Sequence, residues 1–138
     1  MHQVIYFSRG GNTRKVAEVI ADEIGVNAQD VEEANIEKGK NFFFLGSGCY
    51  GGKPSPKILN FIQAHDFTGQ KIALFGTSGS GQGKELESME KALLENDAKI
   101  VGKYSCKGKT FVFINRKHPN KEDLDLARRF ARNLIKEK

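Results

Sequence analysis

The stretch Val4-Ile5-Tyr6-Phe7-Ser8-Arg9-Gly10-Gly11-Asn12-Thr13 decides how the rest of the chain is read. Four apolar residues lead straight into a turn of hydroxyls and glycines, and a helical pattern follows at once. Such a strand–turn–helix junction gathers backbone N–H groups, small side-chain donors and the positive end of a helix around one point, which makes a seat for a phosphate. No Gly-Lys-Ser/Thr follows, so this is not the loop of a nucleoside-triphosphatase. Gly10-Gly11 also lacks the third glycine at the offset a dinucleotide fingerprint requires. The junction favours the single phosphate of a mononucleotide.

Outward from this junction, strand and helix patterns alternate. Residues 3–7 form the first strand. Asn12 or Thr13 is expected to cap a helix whose Val16, Ala17, Ile20, Ala21 and Ile24 share one face, and Gly25 ends it. Residues 26–31 read as a weak second strand, and 31–41 as an irregular crossover without a full helix. Phe42-Phe43-Phe44-Leu45 is a continuous apolar run, as expected of a strand covered on both faces. Ser55-Pro56 supplies the cap and first residue of a helix carrying Ile58, Leu59, Phe61 and Ile62. A fourth strand covers 71–76, and Leu86, Met89, Leu93 and Leu94 stripe a helix ending near Asn96. The fifth strand spans 99–105. Asn120 then caps a helix carrying Leu124, Ala127, Phe130, Ala131, Leu134 and Ile135. Helical and strand spacing places the Met and aromatic stripes in the core. Strands separated by helices imply a parallel sheet with helices on both faces.

Bulk properties restrict the function classes. The 138 residues are expected to form a single domain, 1–138, large enough to bury a core without staples. With 38% hydrophobic and 28% charged residues, the composition is that of a globular protein. The chain enters its first strand by residue 3, which leaves no room for a secretory h-region. No apolar run approaches the roughly 20 residues of a membrane span. Cys49 and Cys106 have no CxxC spacing and fit neither a disulfide framework nor a zinc site, so a cytoplasmic, monomeric protein without a metal is expected. The net charge of +5 invites a nucleic-acid reading. Basic residues are interleaved with acids, however, as in Lys84-Glu85, Glu90-Lys91 and Lys121-Glu122, which describes a solvated surface.

Ligands of open parallel sheets bind beyond the carboxyl ends of the strands, where strand order reverses. Three strand exits here are loaded with glycines and hydroxyls: residues 8–13, 47–54 and 77–84. Enrichment of all three on one edge of the sheet suggests backbone drawn close to a flat ligand rather than merely flexible turns.

With these residues the chain resembles the flavodoxin family over nearly its whole length. Ser8, Gly11 and Thr13 match the family's phosphate loop, while Gly10 stands where the family has an inner Thr. The loops at 47–54 and 77–84 take the places of the two loops that flank the flavin. The segments Tyr104–Lys109 and His118–Leu124 look like the closing section of short members. The resemblance implies a flavodoxin-like three-layer sandwich with a five-stranded parallel sheet in the order 2-1-3-4-5. It implies non-covalent FMN and electron transfer between redox partner proteins, a reductase and an electron acceptor. The implied cofactor-binding residues are Ser8, Arg9, Gly10, Gly11, Asn12 and Thr13 at the phosphate; Ser47, Gly48, Cys49, Tyr50, Gly51 and Gly52 at the first flanking loop; and Thr77, Ser78, Gly79 and Gly83 at the second. Tyr50 would stack on the ring, Thr77 and Ser78 would meet the ribityl chain or pyrimidine edge, and the Gly51–Gly52 peptide would turn toward N5. No catalytic side chain is expected, because the flavin does the chemistry.

The second flanking loop carries no aromatic, and neither flanking loop holds an Asp or Glu, only Lys53 and Lys84. The reduced flavin should therefore meet less repulsion, with a potential less negative than is usual in the family. Two alternatives remain: a small FMN-dependent quinone or NAD(P)H reductase, and a binding module of the same fold without flavin. Cys49 and Cys106 might meet on one sheet edge, but free thiols suit a reducing compartment. His118 is expected in a surface loop, and His2 and His65 have no convergent partners. Lys103, Lys107, Lys109, Arg116 and Lys117 form a loose basic cluster that could dock an acidic partner or simply face solvent.

Overall fold

The computed structural model describes residues 1–79, 81–108 and 118–136. The elements are β1 (His2–Phe7), α1 (Asn12–Ile24), β2 (Ala28–Asp30), β3 (Phe42–Gly48), α2 (Pro56–Ala64), β4 (Lys71–Ser78), α3 (Lys84–Glu95), β5 (Lys99–Lys107) and α4 (Lys121–Lys136). The five strands are all parallel and lie in the order β2-β1-β3-β4-β5. Strand order therefore reverses between β1 and β3. The last three strands run two to three residues further than their apolar runs suggest, because the ladder continues through Gly48, Ser78 and Lys107 toward the glycine-rich exits.

Helices cover both faces of the sheet. On one side Ile5, Phe43, Leu45, Ile72 and Leu74 pack against Ile58 and Ile62 of α2 and Leu86, Met89 and Leu93 of α3. On the other, Val4, Tyr6, Phe42, Phe44, Ala73 and Phe75 meet Val16, Ala17, Ile20 and Ala21 of α1 and Ala127 and Ala131 of α4. Every residue of β3 is buried, as the Phe42–Leu45 run requires. Burying such a Leu, Ile or Phe contributes about 1.5–3 kcal/mol, so the two clusters dominate the stability. Arg128 and Arg132 of α4 pair with Asp22 and Glu23 of α1, each at 2.8 Å, but these contacts are at the surface and add little. No described helix is long and apolar enough to cross a membrane.

Packing explains three glycines inside strands. A Cβ at Gly46 would overlap the Phe75 ring, and one at Gly102 would lie 2.9 Å from Leu134 Cδ1. At Gly76 it would overlap the Glu85 carboxyl and come within 2.8 Å of that residue's Cγ and Cδ.

The crossover at 31–41 contains no helix. Gln3, buried at the start of β1, organises it: its Nε2 donates to Asn35 O at 2.6 Å and to Gln29 Oε1 at 2.7 Å. At the end of the sheet opposite the strand exits, Asn96 follows α3. Its Nδ2 donates to Ile62 O and His65 O, while its Oδ1 accepts from Phe67 N–H at 2.9 Å. One side chain thereby satisfies the end of α2 and the turn after it.

Candidate functional site

The carboxyl ends of β1, β3 and β4 open onto one cleft of about 570 Å³ at the point where strand order reverses. Ser8, Arg9, Gly10, Asn12 and Thr13 line it from the β1–α1 turn. Gly48, Cys49, Tyr50 and Gly51 come from the turn after β3, and Thr77, Ser78 and Gly79 from the end of β4.

The first turn differs from the sequence expectation in one respect. Neither Asn12 nor Thr13 caps α1. The cap is Gly11, at φ 93°, and no side chain bonds to the helix start. A glycine reaches this left-handed geometry without strain, so the chain can swing into the helix without a side chain at the cap position. The Gly11 N–H donates to Ser8 Oγ at 3.0 Å, closing the turn. No acidic residue lies in the first turn of α1, so the positive end of the helix faces the cleft without an internal counter-charge. Thr13 is buried instead, with its Oγ1 2.9 Å from Thr77 Oγ1, a bond that ties α1 to β4.

The second turn is a two-residue hairpin. Tyr50 N–H donates to Lys53 O at 2.7 Å, and Lys53 N–H to Tyr50 O at 3.3 Å. Gly51 and Gly52 between them have φ of 64° and 82°, the pair of positive angles that a type I′ turn needs. Tyr50 Oη accepts from Arg9 N–H at 3.1 Å, and the Arg9 guanidinium carbon lies 4.5 Å from the ring centroid. Gly48 has to lack a side chain here, because its Cβ would lie 2.8 Å from Tyr50 Oη. Cys49 is half-buried, and burial pushes its thiol up. The Glu85 carboxyl pushes the same way, while N–H groups of Gly52 and Glu85 and the charge of Lys84 oppose it. In the third turn, Ser78 Oγ accepts from Gly81 N–H at 2.8 Å, and Ser78 O from Gly108 N–H at 3.0 Å.

Among the described residues, none lining the cleft is acidic. Arg9 lies in the lining, and Lys53, Lys84 and Lys107 follow the three strand exits, all exposed and, among the described residues, without an ion pair. Lys107 lies along the third turn, its Cγ 3.1 Å from where a Cβ of Gly81 would stand. Among the described residues no group of three or more His, Cys, Asp or Glu could hold a metal.

Of the sixteen residues expected at the site, Gly11, Ser47, Gly52 and Gly83 fall outside the lining. Gly11 and Gly83 are the caps of α1 and α3. Ser47 is buried beneath, donating to Gly48 O at 2.8 Å and accepting from Ser55 N–H at 3.0 Å, which seats the start of α2. Gly52 occupies the outer corner of the hairpin. Sequence reading missed Gly108, which lines the cleft from beyond β5. The signal was its place on the same sheet edge as the other three exits. Cys106 is buried, and burial raises its thiol to about 12. His118 is half-buried rather than in a free surface loop: its Nδ1 lies 2.6 Å from Asp123 Oδ2, in the cap of α4 that Asn120 completes. Lys103 pairs with Glu90 at 2.9 Å, and Lys109, Arg116 and Lys117 lie outside the described residues.

A doubly wound parallel sheet with a glycine-lined cleft at its switch point is the architecture of the flavodoxins, and the family's profile, described as a flavodoxin domain, matches residues 3–115. The chain belongs to that family. It is 29% identical over 136 residues to an uncharacterised protein of Methanocaldococcus jannaschii, covering 91% of each chain. It is 31% identical over 138 residues to the flavodoxin-like domain-containing protein BilS of Clostridioides difficile, covering 90% of this chain and 74% of BilS. In fold it is similar to oxidised flavodoxin 1 of Bacillus cereus, with a TM-score of 0.75, 23% identity and coverage of 99% and 98%.

Proposed function

We propose that this chain is an electron carrier that holds FMN non-covalently in the cleft and exchanges electrons with redox partner proteins. The observation that carries the reading is the N-terminus of α1, capped by a glycine and with no acid in its first turn, opening into a cleft lined by Ser8 and Arg9. A helix end of this kind stabilises a phosphate through its N–H groups and dipole. Ser8, Arg9, Gly10, Asn12 and Thr13 would hold the phosphate; Tyr50, Cys49 and Gly51 would border one side of the ring, and Thr77, Ser78 and Gly79 the other. Bound FMN supplies one-electron redox chemistry. The chain binds it, orients it and limits its contact with water. Both central positions of the Tyr50–Lys53 hairpin are glycine, so the Gly51–Gly52 peptide can present either its N–H or its carbonyl to the cleft at little steric cost.

The rim sets the character of the partner. Arg9, Lys53, Lys84 and Lys107 surround a cleft without acids among its described residues, which suits a partner whose docking face is acidic. Electron exchange with an acidic iron–sulfur protein should slow as salt rises.

The test is a titration of apo-protein with FMN and with riboflavin. Much tighter binding of FMN supports the phosphate seat, and equal affinity for the two defeats it. NADPH oxidation by the loaded protein alone, with a quinone present, would instead make it a reductase. Failure to bind either flavin would leave a binding module of the same fold.

A further inference from the structure

We propose that Glu85 is a proton-holding carboxyl placed behind the cleft, and that its charge tunes how readily the site accepts an electron; the proposal rests on the FMN reading above. Glu85 is the second residue of α3, and its side chain is fully buried. Its Oε2 lies 3.3 Å from Ser105 Oγ, which donates to it. Its Oε1 has no hydrogen-bond partner. Among the described residues Glu85 has no ion pair. A lone buried carboxylate without a counter-ion is so unfavourable that the group holds a proton instead. Burial raises its proton affinity, against the weaker opposing pull of its own backbone N–H and of the Ser105 hydroxyl.

The position is tied to the cleft from two sides. Gly76, whose missing side chain gives the carboxyl its space, immediately precedes Thr77 and Ser78 of the lining. Glu85 also acts on Cys49, a lining residue of the opposite turn, its carboxyl raising that thiol and its N–H opposing the shift. Holding this carboxyl does not favour stability. A glycine inside a strand weakens it, and an apolar residue at 85 would remove an unpartnered oxygen from the core. A group kept at such a site against its energetic cost points to use.

The titratable groups around Glu85 are Cys49 from the turn after β3, Lys84 from α3 itself and, on the α3 face of β5, Lys103, which pairs with Glu90; Cys106 of β5 packs on the opposite face of the sheet. Burial holds both thiols above their ordinary values, and Lys84 is exposed. Glu85 is therefore the member of this group that moves from the acidic range toward neutrality. An electron added in the cleft repels an ionised Glu85 through low-dielectric protein, so reduction raises its proton affinity. Above the pH at which Glu85 ionises in the oxidised protein, one electron from the redox partner and one proton from solvent enter together. The proton forms an O–H bond on the carboxylate, and no other bond changes.

The experiment has two readouts on the wild type and on Glu85→Gln. Infrared difference spectra of the apo-protein across pH should show a carboxylic-acid band that titrates above the ordinary glutamate range and is missing from Glu85→Gln. In the FMN-loaded protein the midpoint potential should steepen above that pH toward a tenfold change per pH unit, about 59 mV for one electron, and Glu85→Gln should lack the inflection. Should Glu85→Gln fail to fold, Ser105→Ala serves: loss of the hydroxyl that favours the ionised form should move the inflection to higher pH. Identical potential–pH curves in wild type and variant would overturn the proposal while leaving the FMN reading intact. Failure to bind FMN would overturn both.

Discussion

Replacing Gly76 by Ala tests the contact between β4 and α3 directly. The new methyl would overlap the Glu85 carboxyl and lie 2.8 Å from both Cγ and Cδ. The carboxyl carbon Cδ and the stem carbon Cγ are both involved, and neither moves when the carboxyl turns about the Cγ–Cδ bond, so the helix start or the strand has to shift. Overpacking of this sort costs about 1–3 kcal/mol. Replacing glycine within a strand recovers about 0.5–1 kcal/mol, which leaves a net loss of roughly 0–2.5 kcal/mol. The effect should depend on Glu85. In a Glu85→Ala background the space is open, and Gly76→Ala should become neutral or slightly stabilising. Urea denaturation of the four proteins yields the coupling energy, expected at about 1–3 kcal/mol. Additive effects, with Gly76→Ala equally damaging in both backgrounds, would refute the packing of Glu85 against Gly76 and with it the seat of the buried carboxyl.

Three further outcomes are expected. Thr13→Ala removes a hydroxyl from the cleft and leaves that of Thr77 without its partner; FMN affinity should fall by roughly 1–3 kcal/mol in a flavin fluorescence titration, while riboflavin is much less affected. Glu85 binds its proton more tightly folded than unfolded, so its contribution to stability is complete below about pH 4.5 and is lost as pH rises through the folded-state value. The stability of wild type relative to Glu85→Gln should thus decline with rising pH by about 1.4 kcal/mol per unit until Glu85 ionises, in parallel denaturant titrations. Ser55→Ala deletes the side chain that accepts from Lys57 N–H at 3.1 Å and caps α2, and should lower the unfolding free energy by about 1 kcal/mol.

The order of elements was legible because each apolar run or stripe has a different period and is bounded by glycine, proline or a capping residue. Val4–Thr13 showed a strand, a turn and a helix, and Ser55-Pro56 and Asn120 marked two helix starts where the structure has them. The cap of α1 was misread because Asn is among the commoner caps, whereas here a left-handed Gly11 holds the cap position and only turns the chain into the helix. The cleft was visible as three glycine-rich exits, but Gly108 was missed, since its only signal was the position of the β5 exit on the same sheet edge. Glu85 was hidden for a different reason: a Lys-Glu pair opening a helix has the pattern of a solvated surface, and only the bare Gly76 across from it reveals the buried seat. The crossover at 31–41 depends on Gln3, a polar residue in an apolar strand whose partners are 26 to 34 positions away.

Asn96 gives the two ends of the sheet different mechanical characters. Far from the cleft, its amide stitches the end of α2 to the end of α3 with three bonds, and Met1 and Asn41 are joined nearby through the N-terminal amine at 2.8 Å. The opposite rim is made of short glycine turns, each closed by single side-chain bonds such as those of Ser8, Tyr50 and Ser78. The Phe67 N–H, held by Asn96 Oδ1, should therefore exchange with solvent more slowly than those of Gly10 and Gly51. A molecule stiff at its base and compliant at its mouth can reshape the mouth around a guest while its foundation stays put.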